Sequence, residues 1–215
     1  AEEAAETGGR HAIFFRDLAE RAAPELHGPQ QLEWLARLEG EHDNLRASLA
    51  WGLEAGDADL IQQTAADLYW FWIVRRHIAE GVGWFDRVLA IEGGPSTARA
   101  YALLQAGFIS TMVRLDDLEG CRAQIREARA QFVDLRDARG VKTAENHDAV
   151  LLWWLREFDD SCPEPAVIQA DHGSNGFEWG VAFCGWFLGS AAWFKGDMTQ
   201  AGEDYSLSLE IYRRV

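Results

Sequence analysis

A chain of 215 residues, 48% apolar and 26% charged, is long enough to bury a substantial core, and its composition excludes intrinsic disorder. With 35 acidic against 20 basic residues the net charge is −15, which excludes direct nucleic-acid binding as the main task, because such binding draws on cations that neutralise phosphates. Three cysteines, Cys121, Cys162 and Cys184, are too widely spaced for a CxxC motif and too odd in number for a disulfide framework, so a reducing cytoplasm is the expected setting.

The N-terminal run AEEAAETGGR is acidic and lacks the apolar core of a signal peptide. The most apolar stretches, around 68–74 and 181–194, are too short or too interrupted to span a bilayer, so a soluble protein with no membrane partner is expected. The chain starts without Met and stops at Arg213-Arg214-Val215 inside a helical pattern, and is expected to be a piece of a longer polypeptide.

In chain order, helical periodicity accounts for every segment, and the prolines at 24, 29, 95, 163 and 165 are expected at breaks. A first helix is predicted over Arg10–Ala23, with Phe14, Phe15, Leu18 and Ala22 at helical spacing and Pro24 ending it. A second begins near Pro29 with Leu32, Leu35 and Leu38 on one side. A third starts at Asp43-Asn44, carries Leu45, Leu49 and Leu53, and closes at Gly56-Asp57. Residues 1–56 therefore read as an N-terminal helical segment joining an upstream module to a run of helix pairs.

Residues 57–215 read as about four such pairs. Leu60–Arg76 is followed by Ile78–Ile91, and Gly93-Gly94-Pro95 breaks the chain. Ala98–Leu115 precedes Leu118–Leu135. Val141–Phe158 precedes a short, irregular partner around Pro165–Ala170, and Glu178–Lys195 precedes Thr199–Arg214. The turns at Arg76-His77, Asp116-Asp117, Asp159-Asp160 and Gly196-Asp197 recur about every 40 residues, the mark of stacked helix hairpins. The fold class expected is all-α, a right-handed α-solenoid.

The last pair carries the most specific local pattern. Trp186-Phe187-Leu188-Gly189-Ser190-Ala191-Ala192 leads through Lys195-Gly196-Asp197 to Ala201 and Tyr205. It resembles a tetratricopeptide repeat, in which small residues sit where the two helices of a hairpin approach closely. The second pair fits more loosely, with Gly107, Ser110 and Gly120, and the third departs at Cys162-Pro163-Glu164-Pro165. The first half carries His11-Ala12-Ile13-Phe14-Phe15, Leu18-Ala19-Glu20, Trp34-Leu35-Ala36-Arg37-Leu38-Glu39 and Glu41-His42-Asp43-Asn44-Leu45-Arg46-Ala47, with Arg75-Arg76-His77 and Glu80-Gly81 beyond. This string is similar to the segment after the ATPase module of large bacterial STAND-class transcriptional regulators, of LuxR type or maltose-activator-like. The resemblance implies a sensor arm that takes a small-molecule inducer or a protein partner in a concave groove and contacts the ATPase module. No GxxxxGK[ST] is present, so the ATPase itself is not expected here.

Two features suggest where a ligand would sit. Tyr69-Trp70-Phe71-Trp72 places large rings on nearly all sides of one helix, and either buries the joint with the N-terminal helices or lines a groove in which Tyr69 and Trp72 act as anchors. Trp153-Trp154, Trp179, Trp186 and Trp193 pose the same question further on. The first helix of each pair also ends in cations, namely Arg75 and Arg76, Arg114, Arg156 and Lys195. Either they complement helix C-termini or they form a basic ridge for an anionic partner. The histidines at 11, 27, 42, 77, 147 and 172 show no metal-ligand spacing, no acid pair or nucleophile elbow is visible, and no catalysis, metal or cofactor is expected. The alternative to a binding module is a homodimerisation module using Leu207, Leu209 and Ile211 of the last helix.

Overall fold

The computed structural model of the chain describes residues 2–91, 94–155, 165–174 and 178–214, with side chains left out at 2–5, 153–155 and 165. Among the described residues the protein is all-helical, without strands. The elements are α1 (Glu2–Glu25), α2 (Gln31–Gly40), α3 (His42–Ala55), α4 (Ala58–Val74), α5 (Ile78–Leu89), α6 (Thr97–Ser110), α7 (Leu118–Asp134), α8 (Ala138–Leu155), α9 (Pro165–Ser174), α10 (Glu178–Lys195) and α11 (Met198–Arg214). No helix among them is long and apolar enough to cross a membrane.

One recurring backbone device builds the turns. Gly56, Arg76, Arg136 and Gly196 adopt left-handed conformations, with φ of 71°, 64°, 57° and 84°. In each case the next amide reaches back to close the preceding helix: Asp57 to Gly52 O, His77 to Trp72 O, Asp137 to Phe132 O and Asp197 to Ala192 O, at 2.8–3.0 Å. That next residue then starts the following helix. The carboxylates of Asp57, Asp117, Asp137 and Asp197 accept from the amides of Leu60, Gly120, Gly140 and Gln200, and the Ser96 hydroxyl accepts from Arg99. Positions 57, 77, 117, 137 and 197 all lie on a spacing of twenty residues or a multiple of it. A two-helix unit therefore repeats every forty, as the sequence periodicity predicts, and a solenoid of helical hairpins is compatible with it.

The chain separates into two compact units, residues 1–26 with 30–148, and residues 27–29 with 149–215. In the first unit Ala12, Phe15, Leu18, Ala19 and Ala22 make the buried stripe of α1, which packs on α3 and α4. Leu45 and Leu49 of α3 join it, and Gly52 brings α3 so near α4 that an added Cβ would stand 2.2 Å from Ile61. In α4, Leu68, Phe71 and Trp72 are at most 1% exposed. Gly81 lets α5 close over the Trp72 indole, where a Cβ would meet the ring at 2.7 Å, and Phe85 meets the same indole edge-on at 5.7 Å. The α6–α7 hairpin brings backbone itself this close, since a Cβ on Gly107 would lie 2.6 Å from the Cys121 carbonyl oxygen.

In the second unit α10 packs on both α9 and α11. Gly189 faces the Tyr205 ring, 2.8 Å from where a Cβ would stand, and the Tyr205 hydroxyl donates to Ser190 Oγ at 3.0 Å. Ala192 and Ala201 are buried at the same hairpin. The small-residue pattern Gly189–Ala192–Ala201–Tyr205 thus does the packing the sequence assigns to it. The sides of α10 and α11 away from this seam are apolar and open: Trp186, Trp193, Phe194, Met198, Leu207 and Leu209 are all at least 42% exposed.

Four expectations are corrected. Pro24 does not end α1 but lies in its last turn, where its missing N–H removes one helical bond while Leu26 still bonds Ala22 O at 3.0 Å. Leu32 is not on the buried side of α2, because a ten-residue helix seats only Leu35 and Leu38 and leaves Leu32 78% exposed. Helix α6 stops at Ser110, not near Leu115, because the Thr111 hydroxyl donates to Phe108 O and a tight turn at 110–114 comes next. Leu115 is consequently exposed. The short helix after Pro165 continues to Ser174, while the expected turn at 159–160 lies outside the described residues.

Candidate functional site

A dense polar constellation in the first unit lies where the α2–α3 and α4–α5 turns meet. Glu39 occupies the last turn of α2, His42 opens α3 and His77 precedes α5 in the left-handed turn made by Arg76. The His42 and His77 rings stand 4.5 Å apart, and His42 meets the Phe71 ring edge-on at 5.1 Å. His42 Nε2 lies 3.1 Å from Glu80 Oε1, and His77 Nε2 lies 3.3 Å from Glu39 Oε1. Arg46 donates to both Glu80 oxygens at 2.7 and 2.6 Å and to Asp43 at 2.8 Å, while Trp84 Nε1 donates to Glu80 at 3.3 Å. Arg75 approaches Glu39 at 3.6 Å.

These contacts set the charge states. The hydrogen bond from Arg46 holds Glu80 well below the usual carboxylate range, at about 2, against an opposing push from burial. Burial lowers His42 below its ordinary value, and the facing Glu80 only partly offsets this. At neutral pH the cluster therefore presents a neutral, buried imidazole beside an ionised, clamped carboxylate. Next to it Arg46, Glu80, Gly83, Trp84 and Arg87 line a shallow open depression, and the Arg87 guanidinium lies 4.3 Å over the Trp84 ring. Chemically, the arrangement offers imidazole and carboxylate donors to a cation, while the buried Trp84 ring is already covered by Arg87.

The residues singled out by sequence have mixed placements. Trp72 is 1% exposed, covered by Phe85 and the α5 backbone at Gly81, and so belongs to the core and offers no ring to a ligand. Tyr69 is half-buried against the same core, where burial raises its phenol pKa. The guanidinium of Arg75 is directed to Glu39 and that of Arg114 to Asp86, each within the first unit, which offsets two of the five cations of the expected ridge. Arg76 and Lys195 are exposed. Arg156 and the side chain of Trp153 lie outside the described residues. Sequence reasoning missed Glu39, His42, His77 and Glu80 as a group because the partners are far apart along the chain. Both cross-turn contacts join residues 38 apart, close to the hairpin period, and that coincidence was the available signal.

No known protein-family profile matches the chain, and no solved structure matches it. It is similar to proteins of Mycobacterium tuberculosis and Mycobacterium bovis that are provisionally named HTH-type transcriptional regulators, with 36% identity over 113 residues. The match takes in 50% of this chain but only 13% of each relative, so the chain spans about an eighth of the regulators it matches. That similarity supports a transcription-regulator context.

Proposed function

We propose that the chain is the non-catalytic sensor or scaffold region of a bacterial STAND-class transcriptional regulator, built of tetratricopeptide-like hairpins. The observation that carries the reading is the forty-residue helix-hairpin register in a chain that matches a short stretch of much longer regulators. In such a region, hairpin faces hold a small-molecule inducer or a protein partner and contact an ATPase module outside this chain. The DNA-binding task falls to another domain, in keeping with the net charge of −15. Ligand binding would bias the regulator between closed and open states only as far as it favours one of them. The region acts in the cytoplasm.

A thermal-shift screen of the chain against a bacterial metabolite library, followed by titration against the regulator's own ATPase module, tests this. A saturable rise in melting temperature, or saturable binding of that module, is the expected result. A well-folded chain that responds to neither overturns the reading.

A second reading, self-association of the same region, is favoured by the apolar side chains that α10 and α11 leave open, Trp193 and Phe194 above all. Light scattering across a concentration series decides it. A monomer mass at the highest concentration removes this reading and leaves the first intact.

A further inference from the structure

Glu39, His42 and His77 each offer one nitrogen or carboxylate oxygen, and these three donor atoms lie within 4.8 Å of one another. We propose that they form a binding site for a divalent first-row transition-metal ion, with zinc the best match to two imidazoles and one carboxylate.

The donor set comes first. Magnesium and calcium favour all-oxygen shells, whereas a His2Glu set suits zinc, cobalt or nickel. The distances agree. Donors bound at roughly 2.0–2.2 Å to a tetrahedral ion lie about 3.3–3.6 Å apart. The His77–Glu39 contact, at 3.3 Å, already has that length, so exchanging the imidazole proton for a shared ion needs little movement there. The remaining gap, up to 4.8 Å, closes by rotation of Glu39 and His77, whose side chains are 44% and 28% exposed.

Backbone and outer partners prearrange the group. Glu39 and His42 flank the junction at which Glu41 both ends α2 and begins α3. The amide of His77 is tied to Trp72 O at 2.8 Å in the left-handed turn at Arg76. Ligating histidines commonly keep a carboxylate on the imidazole that orients the ring. Glu80 faces His42 Nε2 at 3.1 Å and so takes that place for an ion bound through Nδ1, and it is itself held by Arg46. Nearby cations do not prevent binding: Arg46 is matched by Asp43 and Glu80, and the Arg75–Glu39 approach, at 3.6 Å, is long enough to yield to an ion. Exposure of Glu39 leaves an entry path and room for water as fourth ligand.

The proposal does not depend on the sensor reading, since the ion would clamp the α2–α3 turn to the α4–α5 turn whatever the region senses. The test is calorimetric titration of the chain, without any histidine tag, with zinc chloride at neutral pH, alongside cobalt absorption spectra and thermal melts. One saturable equivalent is expected, with a raised melting temperature, visible cobalt d–d bands and no response to magnesium. His77→Ala and Glu39→Gln, both at partly exposed positions, should each weaken zinc binding at least about tenfold, the loss already typical of an outer partner. Circular dichroism of the metal-free variants establishes that they remain folded, and His11→Ala should bind as the parent does. Absence of saturable zinc binding, or binding that survives both substitutions, overturns the proposal.

Discussion

The α4–α5 and α10–α11 hairpins use the same local recipe and meet different fates. Each has a left-handed turn residue, Arg76 or Gly196, followed by the residue that starts the next helix, and each has a glycine at the crossing, Gly81 or Gly189, lying against an aromatic ring. Both first helices are rich in rings. In α4, Phe71 and Trp72 are sealed at 0% and 1% exposure, whereas in α10 Trp186, Trp193 and Phe194 stand open at 42%, 52% and 66%. The difference lies in the covering elements, since α4 is enclosed by α1, α3, α5 and α6. Hairpin chemistry is therefore local, and the meaning of an aromatic residue is tertiary.

The most demanding test of this contrast is truncation of matched rings. Trp72→Ala should cost about 3–5 kcal/mol in urea unfolding, as a large buried aromatic does. Trp193→Ala should stay within about 0.5 kcal/mol, as exposed positions do. Equal losses would mean that α10 is covered in solution.

The glycine crossings come next. Gly107→Ala drives a Cβ against the Cys121 carbonyl oxygen, which is backbone, and should destabilise by about 1–3 kcal/mol. Gly189→Ala meets the Tyr205 ring, which can tilt, and should cost less in the same denaturant series.

A smaller effect separates the two turns. Gly196→Ala should lose about 1 kcal/mol by forcing a Cβ into the left-handed region. Arg76→Gly should gain up to about 1 kcal/mol by relieving that strain, less whatever extra freedom the glycine gives the unfolded chain. Opposite shifts in melting temperature check the pair.

Acid sensitivity of the first unit should be the mildest of these changes. Glu80 is held at about 2 against an ordinary 4.5, so its contribution is present above 4.5 and fades as pH falls from there towards 2. His42 is lowered from 6.5, so it too favours the fold above that value and opposes it once protonated. Both act in the same direction. Because Arg46 is 44% exposed, the loss from the ion pair should stay below about 1 kcal/mol. Melting curves between pH 7 and pH 2 should fall, and Glu80→Gln should flatten the limb below pH 4.5.

Much of the fold was legible. The bounds of α10 coincide with the predicted Glu178–Lys195, and the Gly56-Asp57 and Gly196-Asp197 turns announce themselves by residue type. Arg76 and Arg136 make the same turn without a signal in residue type, since an arginine gives no sign of a left-handed backbone; the period alone marked Arg76-His77, and nothing marked Arg136. The end of α6 was hidden because Val113 and Leu115 continue the helical pattern without being buried. The polar cluster was hidden for a different reason. Its residues occupy two turns that meet only after α2, α3, α4 and α5 have packed, and the fragments Glu41–Ala47 and Arg75–Gly81 stood out in sequence without revealing that they touch.

The twenty-residue spacing of helix starts also shapes the route by which the chain folds. Hairpins such as α6–α7 and α10–α11 join neighbours in sequence, so each can form by closing one short loop. Nucleation can begin at any of them and spread to the next. The docking of α1 onto α4 is the contrast, since it must bring together segments separated by two intervening helices. Closure of that long loop is the slow, entropically demanding event, and amides of α1 should therefore be the last in their unit to gain protection from hydrogen exchange.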